Sequence, residues 1–299
     1  MKITILSRNP GLYSTARLIE ACRARHAEVS VLDPLHCVVK LSRKRPEVHH
    51  NGERITGLDG VVPRIGASIT FYGLAVLRQF EMMGVFSAND SQAIAKSRDK
   101  LRALQLLSRH DIGIPPTAFA RRREDLRSAI RKVGGTPVIL KLLEGTQGSG
   151  VILAESVKSA ESVLDAMHSL KQNILIQAFV EESQGTDYRA IVVGKQVVAA
   201  MARQAVEGEF RSNLHRGGSA RGVTLEPQFS ATAIHAAEVL GLNIAGVDMI
   251  ASRDGPMVLE VNSSPGLEGI ETATGIDVAG AVIGFVLEHA PHGYSGDRG

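Results

Sequence analysis

Glu260 and Asn262 close a short apolar strand, Met257-Val258-Leu259, and the chain breaks just after them at Ser263-Ser264-Pro265-Gly266. Side chains alternate along a strand, so these two point to one face. Asp248 ends an earlier apolar run, Ile244-Ala245-Gly246-Val247, and the turn-rich segment Ser252-Arg253-Asp254-Gly255-Pro256 lies between. Folding the strands back about Asp254 sets Asp248 opposite Glu260. Two carboxylates and an amide oxygen then converge, a hard-oxygen set suited to Mg²⁺ or Mn²⁺, with phosphates and waters completing the shell. The plain alternative is a solvated hairpin end with ordinary surface acids.

A second group with chemical potential is Lys141 and the glycine-rich stretch that follows it, Glu144-Gly145-Thr146-Gln147-Gly148-Ser149-Gly150. Such a loop offers backbone N–H groups to phosphate oxygens, and Lys141 aims a cation at the same space. The pattern G-x-x-x-x-G-K-[ST] is absent, so this is not a P-loop.

The elements that position these groups can be read in outline. Residues 2–6, Val29 to Leu32 and Gly60 to Pro63 read as strands, Leu12 to Arg25 and Ile69 to Met83 as helices, and Val85 to Ser87 as a short strand. That alternation predicts a small parallel-sheet domain over 1–95. Ser7 to Gly11 follows the first strand, where such sheets bind ligands, but it is not GxGxxG, which disfavours a dinucleotide site and an NAD-type dehydrogenase. Over 96–180 the reading is a helix from Arg98 to His110, a hairpin of Val138–Lys141 with Val151–Leu153, a helix over Glu161–Leu170 and a strand over Ile174–Val180. Over 181–299 it is strands Tyr188–Val193 and Gln196–Arg203, a helix over Phe229–Leu240, the Asp248/Glu260 hairpin, and a closing helix from Asp277 to His289.

Composition narrows the function classes. The 299 residues carry a net charge of only +3, and the basic runs Arg43-Lys44-Arg45 and Arg121-Arg122-Arg123 are short. With four tyrosines and no tryptophan to stack on bases, direct nucleic-acid binding is not expected. No apolar run approaches the roughly 20 residues that span a bilayer, so no membrane role is expected. The start has no signal-peptide form, and Cys22 and Cys37 have neither metal-ligand spacing nor a disulfide framework, so a cytoplasmic location is expected.

Taken in order, the motifs resemble the ATP-grasp superfamily of carboxylate–amine ligases, and within it the RimK-type glutamate ligases. The segments that carry the resemblance are Ser7-Arg8, Val62-Pro63-Arg64-Ile65-Gly66, Ser97-Arg98-Asp99-Lys100, Glu144 to Gly148, Gln184-Gly185-Thr186-Asp187-Tyr188-Arg189, Phe210 to Gly218, and Glu260 to Ile270. The resemblance implies a mixed α/β and α+β chain. An N-terminal pre-ATP-grasp domain (1–95) precedes two α+β modules that clasp ATP, 96–180 with the glycine-rich loop and 181–299 with the metal site. It implies that Lys100 and Lys141 hold ATP phosphates, with Gly145 and Gly148 in the covering loop. The backbone of Ala178, Phe179 and Val180 meets adenine, and Asp187 meets the ribose. Arg211 and Ser212 lie on the phosphate side, Asn213 on the phosphate or the metal side, and Arg203 and Arg211 stabilise the transferred group. Asp248, Glu260 and Asn262 hold Mg²⁺ or Mn²⁺, two ions per subunit. Relatives often carry an acid where Ala178 stands, which leaves the adenine contact to the backbone. Arg8 and Arg64, at strand ends facing the acceptor side, are expected to bind acidic substrate groups. Lys96 and Arg98 are read as scaffold, and His215, either a proton acceptor for the incoming ammonium or a structural residue, stays outside the catalytic set.

Such ligases move the γ-phosphoryl of ATP onto a carboxylate, and an amine then displaces phosphate from the acyl phosphate. The resemblance implies addition of L-glutamate to the C-terminal tail of a small-subunit ribosomal protein, by a cytoplasmic homotetramer. Alternatives are the same chemistry on a cofactor tail or on free glutamate extended to poly-α-glutamate, and a nucleotide-responsive ribosome-binding module.

Overall fold

The computed structural model describes residues 1–120, 122–142, 150–169, 173–206 and 217–292. The chain begins with β1 (Lys2–Leu6), whose residues beyond the first are buried, as befits a central parallel strand covered on both faces. Helix α1 (Tyr13–Ala24) buries Leu18, Ala21 and Cys22, and returns the chain to β2 (Glu28–Leu32). Next come β3 (Cys37–Lys40), β4 (Glu47–His50) and β5 (Glu53–Arg54), a small antiparallel sheet not foreseen in the sequence. Then β6 (Gly60–Pro63), α2 (Thr70–Met82) and β7 (Phe86–Ser87) complete a parallel sheet ordered β2-β1-β6-β7.

Helix α3 (Ser91–Arg98) was not foreseen, and the helix expected from Arg98 to His110 is α4 (Lys100–Arg109), which starts at Lys100. Asp99 separates them: its backbone is extended, and its carboxylate accepts from the Arg102 N–H, capping α4. Although α4 precedes the next sheet in sequence, Ala103 and Leu107 pack in a core with residues of the final module.

The middle sheet is ordered β10-β9-β11-β8, built from β8 (Thr117–Phe119), β9 (Val138–Leu142), β10 (Val151–Ala154) and β11 (Ile174–Ala178). Helices α5 (Leu126–Lys132) and α6 (Val157–Ser169) pack on one another and supply residues to a core confined to this module. The last sheet runs β14-β13-β12-β15-β16, with β12 (Thr186–Val193), β13 (Gln196–Gln204), β14 (Ser219–Gly222), β15 (Ile244–Ser252) and β16 (Gly255–Asn262). Helix α7 (Pro227–Leu240) covers one face through Ala233, Ala236, Ala237 and Leu240. The apolar half of the other face meets α8 (Glu268–Thr274), α9 (Val278–His289) and the first domain, in one core that joins Ile3, Ile5, Leu18 and Val62 to Ile191, Met201, Ile270 and Val282. Among the described residues no single helix is long and apolar enough to cross a membrane.

Candidate active site

Alternation in β12 places Asp187, Arg189, Ile191 and Val193 on one face. Ile191 and Val193 join the core shared with the first domain, so the same face carries charge at one end and packing at the other. Cross-strand pairing extends the charged end into a row: Asp187 lies opposite Arg203, Arg189 opposite Asp248, and Asp248 opposite Glu260. Asn262 lies opposite Gly246, one pleat further along.

A β-bulge brings the last pair into line. The turn pairs Ser252 with Gly255 and Met249 with Val258, and an unbroken ladder would then set Asp248 against Leu259. The register shifts between Asp248 and Met249, leaving Leu259 without a partner and placing Glu260 opposite Asp248. Glu260 and Asn262 thereby share a face with Asp248.

The row is tightly bonded. Arg189 Nε and Nη2 donate to the two oxygens of Asp248, both at 2.6 Å. Arg203 makes the same fork to Asp187, both at 2.6 Å, and its Nη2 lies 3.0 Å from Asp248 Oδ2. Arg203 is 4% exposed and Asp248 7%. Two cations against two anions make this burial tolerable, and removing one partner would strand a buried charge. Burial alone would raise the Asp248 pKa, but Arg189 and Arg203 outweigh it and hold the carboxyl at about 2. Burial opposes the charge on Arg203, yet Asp248 and Asp187 raise its pKa above the ordinary arginine value.

Two lysines reach the row from other elements. Lys100 starts α4, and its ammonium donates to the Leu142 carbonyl at 3.2 Å. Lys141 stands on β9 opposite Val151 and Leu175. Burial first, and then Lys100, bring the Lys141 pKa down to about 8 against the opposing attraction of Glu260 and Asp248. Burial also lowers the Lys100 pKa, against the attraction of Glu260. The cations thus lie within electrostatic reach of the carboxylate pair. Ala178 ends β11, its N–H bonded to the Pro116 carbonyl at 2.8 Å, and Phe179 and Val180 lead from the middle sheet toward β12. Gly145, Gly148, Arg211, Ser212 and Asn213 lie outside the described residues.

The donor set fits a hard divalent cation. Glu260 is exposed, Asn262 half-buried, and Asp248 Oδ1 accepts only the Arg189 bond among the described residues, which leaves it a lone pair. Sequence reasoning missed Arg189, although its place two residues after Asp187 was the available signal. It also missed Asn89, 2% exposed, which donates to the carbonyls of Ile244 (2.7 Å) and Ser263 (3.0 Å) and accepts from the N–H groups of Asn243 and Ile244, both at 2.9 Å. Asn89 thus ties the first domain to the start of β15 and to the residue after Asn262. No local spacing announces a contact across 155 and 174 residues.

Known proteins resemble this chain over nearly its whole length. Residues 1–94 match the RimK PreATP-grasp domain and residues 97–286 the RimK-like ATP-grasp domain. A probable alpha-L-glutamate ligase of Thioalkalivibrio sulfidiphilus is 60% identical over 98% of this chain and 97% of its own. One of Vibrio cholerae serotype O1 is 57% identical over 100% and 99%. A RimK domain ATP-grasp protein of Sphaerobacter thermophilus superposes with a TM-score of 0.69 at 25% identity, over 96% of this chain and 100% of that one. The ATP-grasp ligase PsnB, complexed with minimal precursor, Mg and ADP, superposes with a TM-score of 0.76 over 97% and 98%. At 21% identity the PsnB likeness is one of fold. With both domain families matched in order and relatives 57–60% identical along the chain, the chain belongs to the RimK family of ATP-grasp proteins and is an ATP-dependent carboxylate–amine ligase.

Proposed function

We propose that this ligase adds L-glutamate to the C-terminal carboxylate of an acidic protein tail, that of a small-subunit ribosomal protein, in the cytoplasm. The names of the relatives support glutamate as the amine. The observation that carries the reading is the row Arg203–Asp187, Arg189–Asp248–Glu260 with Lys100 and Lys141 nearby. Cations and hard oxygens are interleaved there, as transfer of a triphosphate's terminal group to a carboxylate requires.

Lys100 and Lys141 would hold phosphate oxygens. The backbone of Ala178 to Val180 would face adenine, and Asp187, steadied by Arg203, would meet the ribose. Asp248, Glu260 and Asn262 would hold two Mg²⁺ or Mn²⁺ ions, which supply charge neutralisation along the triphosphate. Arg203, and Arg211 from outside the described residues, would stabilise the transferred phosphoryl. An amine then attacks the acyl phosphate, and no Ser or Cys nucleophile is required.

The test offers ATP, Mg²⁺ and L-glutamate with a peptide ending in Glu-Glu, with its C-terminal amide, and with a cell extract. Intact-mass analysis should show increments of one glutamyl residue on the free-acid peptide and on a ribosomal protein, and none on the amide. Incorporation into the amide would overturn attack at the terminal carboxylate. Polymer formation from glutamate alone, with no peptide product, would overturn the protein acceptor.

A further inference from the structure

Arg64 directly follows β6, and Arg98 ends α3, so both stand at the carboxyl edge of the parallel sheet. Among the described residues neither has a carboxylate within ion-pair distance. Arg98 Nη2 donates to the Ile65 carbonyl, but its Nε is buried with no hydrogen-bond partner among the described residues. Ser263, 3% exposed, also has an Oγ without a partner among the described residues. Ser263 and Arg64 line one small cavity between the end of β6 and the exit of β16, and the Ser264 hydroxyl donates to the Pro63 carbonyl at 3.4 Å across the same gap. Burial, and secondarily Arg98, pushes the Arg64 pKa down to about 10. Glu260 is the acid that acts on Arg98, and it belongs to the metal set.

Buried donors without acceptors are costly, and two adjoining guanidiniums without an anion are costlier still. Every unsatisfied group here is a donor or a hydroxyl. An incoming anion with several lone pairs would answer all of them. The place also selects the anion. It lies one residue beyond Asn262, on the first-domain side, whereas Lys141 comes from the middle module.

We propose that Arg64, Arg98 and Ser263 form the seat for a substrate carboxylate beside Glu260, which makes Arg98 a binding residue rather than scaffold. This rests on the ligase reading above. The same chemistry fits the acceptor's terminal carboxylate or a carboxylate of L-glutamate, and kinetics separates the two. The comparison is between wild type and Arg98→Gln, Arg98→Lys, Arg64→Gln, Arg64→Lys and Ser263→Ala, with KM measured for L-glutamate and for the Glu-Glu peptide. ADP binding with Mg²⁺ is measured by calorimetry and folding by thermal melting.

The Gln variants should raise KM for one carboxylate substrate roughly 10- to 100-fold, as loss of a charged hydrogen bond does, and leave ADP affinity unchanged. The Lys variants keep the charge without the fork. They should melt like wild type with KM raised several-fold, which keeps the test decisive if a Gln variant fails to fold. A rise confined to the peptide identifies the acceptor, and one confined to glutamate identifies the amino acid; either supports the seat. Unchanged KM for both, or a loss of ADP affinity in step, overturns it. A wild type that incorporates no glutamate would instead overturn the proposed function.

Discussion

Lys141 carries the clearest pH signature in the site. Its folded pKa of about 8 lies below the ordinary 10.5, so between those values the unfolded chain binds more protons here than the folded one. This contribution to stability therefore rises with pH across that window and is flat below it. A bound triphosphate should restore the charge, so ATP binding should take up a proton near pH 8 and weaken above it. Calorimetry in two buffers of unlike ionisation enthalpy measures that uptake, and Lys141→Met should remove it. Glu260 is exposed. Glu260→Ala should shift stability by no more than about 0.5 kcal/mol and cut ADP formation by on the order of 100-fold or more. Metal-dependent ADP release, with circular dichroism as the folding control, checks both. The carboxylate pair was legible from strand alternation together with the fold-back about Asp254. Arg98 was read as scaffold because its neighbours Ile65, Arg64 and Glu260 come from distant segments that local spacing does not join.

At the scale of elements, strands and helices with strong apolar runs were readable, and those held by few apolar residues were not. The sheet β3-β4-β5 rests on Glu47-Val48-His49-His50, which alternates too weakly to announce itself. Folding about Asp254 paired Asp248 with Glu260 correctly, though the turn itself is centred between Arg253 and Asp254 and the bulge supplies the difference. Asn89 shows what the connecting segments contribute. Asn89→Ala would leave buried backbone donors and acceptors of Asn243, Ile244 and Ser263 unanswered, at about 3 kcal/mol. Urea denaturation measures that loss. ADP formation should also need more Mg²⁺, because the residue after Asn262 is no longer tethered.

Across the whole molecule, the middle module differs from the rest in how it is held. Residues from Leu126 to Ala178 form a core of their own, whereas the first domain and the last module share one. The middle module should therefore be the part that shifts when nucleotide binds. Hydrogen exchange with and without ADP and Mg²⁺ should change in β9 and β11 and stay constant in β1 and β15; equal changes in all four would contradict this. The shared core also bears on how such chains can be cut and recombined. The family boundary near residues 94–97 separates two stretches of gene but not two hydrophobic interiors. Residues 1–94 made alone would keep the packing around Phe80 but uncover Ile3, Ile5, Leu18 and Val62, and should self-associate in sedimentation. A chimera that swaps this segment between relatives would need to carry α9 with it, because that helix is part of the wall of the first domain.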